Sequence, residues 1–187
     1  MLTPMTQSSM QFWDQPTRGL DSKTALELAN TLRRGADNAG KTVVATMYQA
    51  GNGIYDTFDK VLVLAEGRVI YYGPRATARS YFEELGFVCP KGANVADFLT
   101  SMTVETERMV KPGMEEKVPR TAEDFERVLK GSEMYQMMMS TMTDPGTLQS
   151  ETEMLNNAVQ QEQTKTMGQQ SVYTVGLARQ VYSCIIR

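Results

Sequence analysis

The chain has no histidine, two cysteines and one tryptophan among its 187 residues. Without imidazole this chain by itself can form no Ser-His-Asp triad, no His-ligated zinc site and no imidazole acid-base pair. Cys89 and Cys184 lie far apart and match no metal or redox spacing, so they read as two unrelated reduced thiols. Basic residues are in deficit, 19 Lys and Arg against 22 Asp and Glu, and a net charge of −3 argues against a nucleic-acid partner. No apolar run approaches the roughly 18 residues that would span a bilayer. Residues 1–10 have no apolar centre of the kind a secretion signal needs. A phosphate-cradling G-x-x-x-x-G-K-[ST] loop is not expected either, which would leave nucleotide phosphates without a backbone cradle and its lysine.

What is present suits a globular chain of one domain, or a domain with an appendage: 41% hydrophobic and 22% charged residues. Methionine is abundant, at 14 residues, and its cluster at Met134–Met142 reads as an adaptable helix face. The stretch around which the rest is organised is Phe12-Trp13-Asp14-Gln15-Pro16-Thr17-Arg18-Gly19-Leu20-Asp21-Ser22. An acid closing an apolar strand, followed by a tight loop into a helix, is how P-loop NTPases set a carboxylate on the Mg²⁺ side of a nucleotide, which would be the role of Asp14. The next position would carry the carboxylate that polarises water, and here it is Gln15. An amide carries no charge and does not titrate near neutrality, so it is a poor proton acceptor. Strand-turn-helix junctions with Asp, Pro and Gly also occur as purely structural features.

Residues 1–9 show no pattern and read as a disordered lead. Met10–Trp13 reads as the remnant of a buried strand ending at Asp14. Asp21 or Ser22 is a good N-cap, and Ala25, Leu28, Ala29 and Leu32 predict a helix with one apolar face. Arg33 and Arg34 suit its C-terminal end, and Gly35 is expected to stop it. Residues 42–47 read as a fully buried strand, suited to a parallel sheet covered on both faces. The strand-helix-strand order predicts an α/β arrangement with a right-handed crossover. A Gly-rich loop and a short helix through Tyr55, Phe58 and Asp59 follow. Val61–Leu64 and Arg68–Tyr72 flank Ala65-Glu66-Gly67 as a β-hairpin, ended by Gly73-Pro74. Ala78, Tyr81, Phe82 and Leu85 predict a helix stopped at Gly86.

Residues 103–120 read as a charged linker. Thr121 and Asp124 predict a capping box, with Phe125, Val128 and Leu129 continuing the helix. Residues 151–167 read as a polar, Gln-rich helix or strap. In 171–187, Val175, Ala178, Val181, Tyr182 and Ile185 form an apolar stripe, with Arg179 and Arg187 available to anionic headgroups. The same stripe would also suit an ordinary packed terminal helix.

The run D-Q-P-T-R-G-L-D-S resembles the Walker B and D-loop segment of ABC-transporter ATPases, and W-D-x-x-T-R-G-L-D-S resembles the first nucleotide-binding domain of fungal pleiotropic-drug-resistance (PDR/CDR-type, ABCG-like) transporters. The resemblance continues through Y-Q-A-G-N-G-I-Y-D-T-F-D-K-V-L-V-L-A-E-G-R-V-I-Y-Y-G-P, Y-F-E-E-L-G-F-V-C-P and A-D-F-L-T-S. It implies a partial P-loop NTPase (ABC ATPase) domain of α/β class over residues 10–102, with a parallel-sheet remnant and a β-hairpin. A charged, Gln-rich helical linker would cover 103–170, and an amphipathic elbow helix 171–187 would precede a membrane span. In that frame Asp14 holds Mg²⁺ through water, Gln15 sits at the degenerate base position and Tyr48 at the degenerate H-loop switch. A phenol can donate to phosphate but is a poor proton shuttle near neutrality; Tyr48 would equally suit a buried aromatic at a strand end. Asp14, Gln49 and the D-loop residue Asp21 would lie on the nucleotide side, and Asp21 can serve as a helix cap at the same time.

The family's signature motif and Q-loop do not occur in the chain, so the resemblance implies a fragment or a truncated gene model, inactive by itself. Its parent would be a multidrug or lipid exporter at the plasma membrane, driven by ATP with Mg²⁺. The implied partners are the rest of the same ATPase domain, a second nucleotide-binding domain, the transmembrane domains and, through 171–187, the membrane surface. A different expectation is a non-catalytic interaction module that keeps an ABC-like scaffold.

Overall fold

A computed structural model describes residues 10–48 and 50–143 and, beyond them, residues 149, 152–153 and 182. Met10–Met139 forms one unit, and Met1–Ser9 with Ser140–Arg187 forms a second. The expectations for 1–9, for most of 151–167 and for 171–187 other than Tyr182 lie outside the described residues, as does Gln49.

Strand β1 (Met10–Asp14) and strand β2 (Thr42–Thr46) pair in parallel, in register from Met10↔Thr42 to Asp14↔Thr46. Helix α1 (Ser22–Ala39) connects them and buries Ala25, Ala29 and Leu32, the face its spacing predicts. The stop expected at Gly35 is not where α1 ends. A glycine inside a helix costs about 1 kcal/mol against alanine, which is too little to break a helix anchored further on. Arg33 pairs with Asp37 one turn ahead, at 2.9 Å, and with Asp59 at 2.7 Å. Gly40 ends the helix instead: at φ 60° it adopts the left-handed cap and returns its N–H to the Ala36 carbonyl.

Full burial of β2 is not observed either. Its residues alternate between exposed and half-buried, and Val44 is 46% exposed beside Phe12 at 74%. Among the described residues the second face of this two-stranded sheet is bare, whereas parallel strands are ordinarily covered on both faces.

Helix α2 (Asn52–Tyr55) is shorter than expected, because Thr57 turns its hydroxyl back onto the Ile54 carbonyl at 2.7 Å and ends the run before Phe58. Strands β3 (Lys60–Ala65) and β4 (Arg68–Pro74) make the predicted antiparallel hairpin. Its turn, Glu66-Gly67, has positive φ at both residues, 51° and 75°, which matches the twist of the strands at some strain for glutamate. Helices α3 (Arg75–Glu84) and α4 (Val95–Ser101) follow. Gly86 ends the α3 region at φ 104°, and a Cβ there would stand 3.0 Å from Val118.

The core does not stop at residue 102. Tyr71, Phe82, Phe87, Phe98 and Phe125 form its aromatic centre: Phe87 stacks on Phe125 at 5.6 Å, and Phe82 meets Phe98 and Phe125 edge-on at 6.4 and 6.1 Å. Phe125 comes from helix α5 (Ala122–Gly131), which opens with the predicted Thr121–Asp124 capping box. The stretch read as a linker runs back along this core. Val88 N–H donates to the Met109 carbonyl at 2.7 Å, Lys111 N–H to the Gly86 carbonyl at 2.8 Å, and Val118 is buried. Arg108 lies over the Phe125 ring at 5.0 Å and donates to the Met102 carbonyl at 3.0 Å and the Arg120 carbonyl at 2.5 Å. Val110, Met114 and Val118 are the apolar anchors that the charged composition hides. Helix α6 (Glu133–Thr143) carries much of the methionine cluster, and its Met134 packs against the core.

Phe125→Ala should therefore destabilise the unit by about 3–5 kcal/mol, the usual range for a buried aromatic truncated to alanine. Tyr81 tests the opposite sign: its hydroxyl is buried without a partner, and burial pushes its pKa up to about 12. Tyr81→Phe should raise the urea midpoint, because it removes an unsatisfied polar atom. A lowered midpoint for Tyr81→Phe, or an unchanged one for Phe125→Ala, would contradict this packing.

Candidate functional site

The parallel register sets the ends of β1 and β2 side by side, so the loops that leave them face each other. Between these loops and the start of α1 lies an open cavity of about 680 Å³, lined by Gln15, Thr17, Arg18, Ser22 and Tyr48 among others. The Thr46 hydroxyl donates to Asp14 Oδ1 at 2.5 Å and accepts the Gln15 N–H at 2.9 Å. Gln15 has φ 44°, left-handed and uncommon for a residue other than glycine. The loop then tightens as Arg18 N–H donates to the Gln15 carbonyl at 3.1 Å and Leu20 N–H to the Thr17 carbonyl at 3.2 Å. Gly19, at φ 79°, makes the last bend at little cost. Thr17 reaches the Met47 sulfur at 3.7 Å, a second link between the two loops.

Asp21 caps α1. Its carboxylate accepts from Lys23 N–H at 3.1 Å, Thr24 N–H at 3.2 Å and the Thr24 hydroxyl at 2.5 Å. The Thr24 hydroxyl, then its N–H, hold this carboxyl below its ordinary value of 3.8. On the far side Tyr48 is 69% exposed, which is not the buried aromatic that a strand end could have held. The loop after it is tied to α4: Asn94 Nδ2 donates to the Ala50 carbonyl at 2.7 Å, and Val95 N–H donates to Asn52 Oδ1 at 2.9 Å.

Gln15 and Tyr48 thus share one cavity. Asp14 is not among the residues lining it and is held by the Thr46 hydroxyl, and the Asp21 carboxylate is engaged by its own helix. Gln49 is outside the described residues. Sequence reasoning missed Thr46 as the link between the strand ends, because only the register reveals it. Arg18 is the cation on the cavity wall and has no ion pair among the described residues; it sits inside the quoted motif without an assigned role.

Among the described residues no three His, Cys, Asp or Glu side chains gather into a metal cluster. A single carboxylate is nonetheless the donor set that suits Mg²⁺, which keeps several waters and takes its other ligands from substrate phosphates. Asp14 fits that limited role.

One expectation needs correction. The string Gly35-Ala36-Asp37-Asn38-Ala39-Gly40-Lys41-Thr42 does match G-x-x-x-x-G-K-T, although no such string was expected. Its context is reversed: residues 35–39 are the last turn of α1, Gly40 is the cap, and Thr42 opens β2. A phosphate cradle needs the order strand, loop, helix, with free N–H groups at a helix start. Here the Gly40 and Lys41 N–H groups are spent on the Ala36 carbonyl. The string matches the pattern without forming the cradle.

The comparisons with known proteins support the transporter class and do not test the ATPase-domain assignment. A family model described as ABC-2 type transporter matches residues 48–184. The chain belongs to the ABC-2 type transporter family. It is 60% identical over 183 residues to ABC multidrug transporter G of Aspergillus fumigatus, a match covering 97% of this chain and 14% of that protein. ABC multidrug transporter H of the same fungus is 47% identical over 184 residues, covering 97% of the chain and 13% of that protein. ABC-type transporter cns4 of Cordyceps militaris is 43% identical over 187 residues, covering 99% and 14%. The chain therefore spans about one seventh of the length of these relatives. Among the described residues no helix is long and apolar enough to cross a membrane.

The caps give a pH prediction. Asp21 and Asp124 both have carboxyls depressed in the fold, chiefly by the hydroxyls of Thr24 and Thr121. A depressed folded value means that their stabilisation is complete above the unfolded value, near 3.8, and is lost as pH falls through the lower folded one. The urea midpoint should hold from pH 7 to about 4.5 and fall below that. The fall should be shallower in the double variant Asp21→Ala/Asp124→Ala. A loss centred near pH 6 would contradict it.

Proposed function

We propose that this chain supplies the Walker B, D-loop and H-loop portion of an ATPase domain in a fungal ABC exporter of drugs or lipids, at a site that retains nucleotide without efficient turnover. The observation that carries the reading is the strand-end arrangement: an acid at the end of β1, an amide directly after it, and a phenol across the same cavity. The α/β order, with two parallel strands joined by α1, supports a partial P-loop NTPase fold. The bare face carrying Phe12 and Val44 is consistent with cover from the rest of such a domain. The identity to ABC multidrug transporters of Aspergillus fumigatus supports an exporter as the parent, acting at a membrane with a second nucleotide-binding domain and transmembrane domains as partners.

ATP with Mg²⁺, when bound, supplies the phosphoanhydride and the charge that offsets its cleavage. The residues of this chain do the rest of what the reading requires. Asp14 would hold the metal through its water shell, Gln15 and Tyr48 would offer hydrogen-bond donors to the terminal phosphate, and the Gln15 amide offers no general base for water. Without a general base at position 15, a bound nucleotide would be held and little of it hydrolysed.

The isolated chain should show no ATP hydrolysis above a buffer control, and Gln15→Glu should not create any, since it adds a base without a cradle. Turnover abolished by Asp14→Ala would overturn this. In a transporter containing this segment, Gln15→Ala should leave most of the ATPase activity. Asp21→Ala should lower it by more than its loss of helix stability explains, because by resemblance that loop lies at the seam between the two nucleotide-binding domains. Equal effects of the two substitutions at matched expression would remove the asymmetric-site reading.

A further inference from the structure

Thr46 was assigned no role by the motif, yet its side chain joins the acid, the base position and the second strand. Its chemistry fixes the direction of both bonds. A backbone N–H can only donate, so the Thr46 oxygen must accept from Gln15 at 2.9 Å. The hydroxyl proton is then free for Asp14 Oδ1, 2.5 Å away, which as a carboxylate can only accept. Donor, hydroxyl and carboxylate thus form a directed chain in which each bond polarises the next. The same contact supports Gln15 at φ 44°, where a residue with a side chain is strained unless its surroundings hold it.

We infer that Thr46 is a positioning residue, which fixes the rotamer of Asp14 and the backbone of Gln15 and couples both to the loop bearing Tyr48 two residues on. Its functional half rests on the reading of Asp14 as the metal-side acid. Thr46 stands opposite Asp14 in the parallel register, so the coupling is built into the strand pairing rather than into either loop. Serine at this position keeps both bonds. Valine keeps the β-branched shape that suits the strand and loses both.

The test has two arms. Hydrogen exchange of the Gln15 amide in this chain should accelerate at least tenfold in Thr46→Val and stay within about twofold in Thr46→Ser, with the Phe125 amide unchanged in both as the check on folding; unchanged exchange at Gln15 in Thr46→Val would overturn the inference. In a transporter containing the segment, Mn²⁺ replaces Mg²⁺ as a spectroscopic probe with ATP. Thr46→Val should raise the Mn²⁺ concentration for half-occupancy about fivefold or more, and Thr46→Ser should restore it. Asp14→Ala separates the two ideas. If Asp14→Ala weakens Mn²⁺ binding and Thr46→Val does not, the role of Thr46 is wrong while the metal-side reading stands. If Asp14→Ala has no effect on Mn²⁺, the metal-side reading fails and takes the functional half of this inference with it.

Discussion

The parallel pairing of β1 with β2, in the register that sets Asp14 beside Thr46, is the constraint on which the candidate site depends. Parallel strands end side by side, so the loops that leave them must share one edge of the sheet. That geometry brings Gln15 and Arg18 from one loop and Tyr48 from the other onto a single cavity, although they are distant in the chain. A one-residue slip would turn Thr46 away from Asp14 and reverse which side chains face α1. The bond from the Thr46 hydroxyl to Asp14 is therefore both a product of the register and one of the contacts that specify it.

The second organising feature is the aromatic centre around Phe82, Phe87 and Phe125. It is assembled from α3, the segment after it and α5, so residues far along the chain are needed to close the core beneath the hairpin. The two features meet through α4, which packs Phe98 into this centre and holds the loop after Tyr48 by Asn94. The loop after Tyr48 is thus tied to the aromatic centre, while Phe12 and Val44 are exposed.

What was legible in the sequence was local. The Asp21 cap, the Thr121–Asp124 capping box and the Glu66-Gly67 turn each satisfy backbone groups within a few residues, and each appears where the residue types put it. The misreadings concern long-range terms. Gly35 looked like a stop because its propensity is poor, but ion pairs from Arg33 carry α1 to the better cap at Gly40. Residues 103–120 looked like a linker because their charges outnumber their anchors, yet Val118 and the Arg108 contact with Phe125 bind them to the core. The G-x-x-x-x-G-K-T string shows the reverse problem: the residues are correct for a phosphate cradle and the helix-to-strand order is not. Thr46 needed the register, which no local pattern reveals.

The proposal of a nucleotide-retaining, base-deficient site is tested most directly by a cryo-EM structure of a transporter containing this segment, prepared with ATP and Mg²⁺ under turnover conditions. The account predicts unhydrolysed ATP at this site, with Asp14 facing the metal's water shell, Gln15 and Tyr48 at the terminal phosphate, and Phe12 and Val44 covered by the rest of the domain. ADP or an empty cleft at this site, or Phe12 and Val44 still facing solvent, would contradict it.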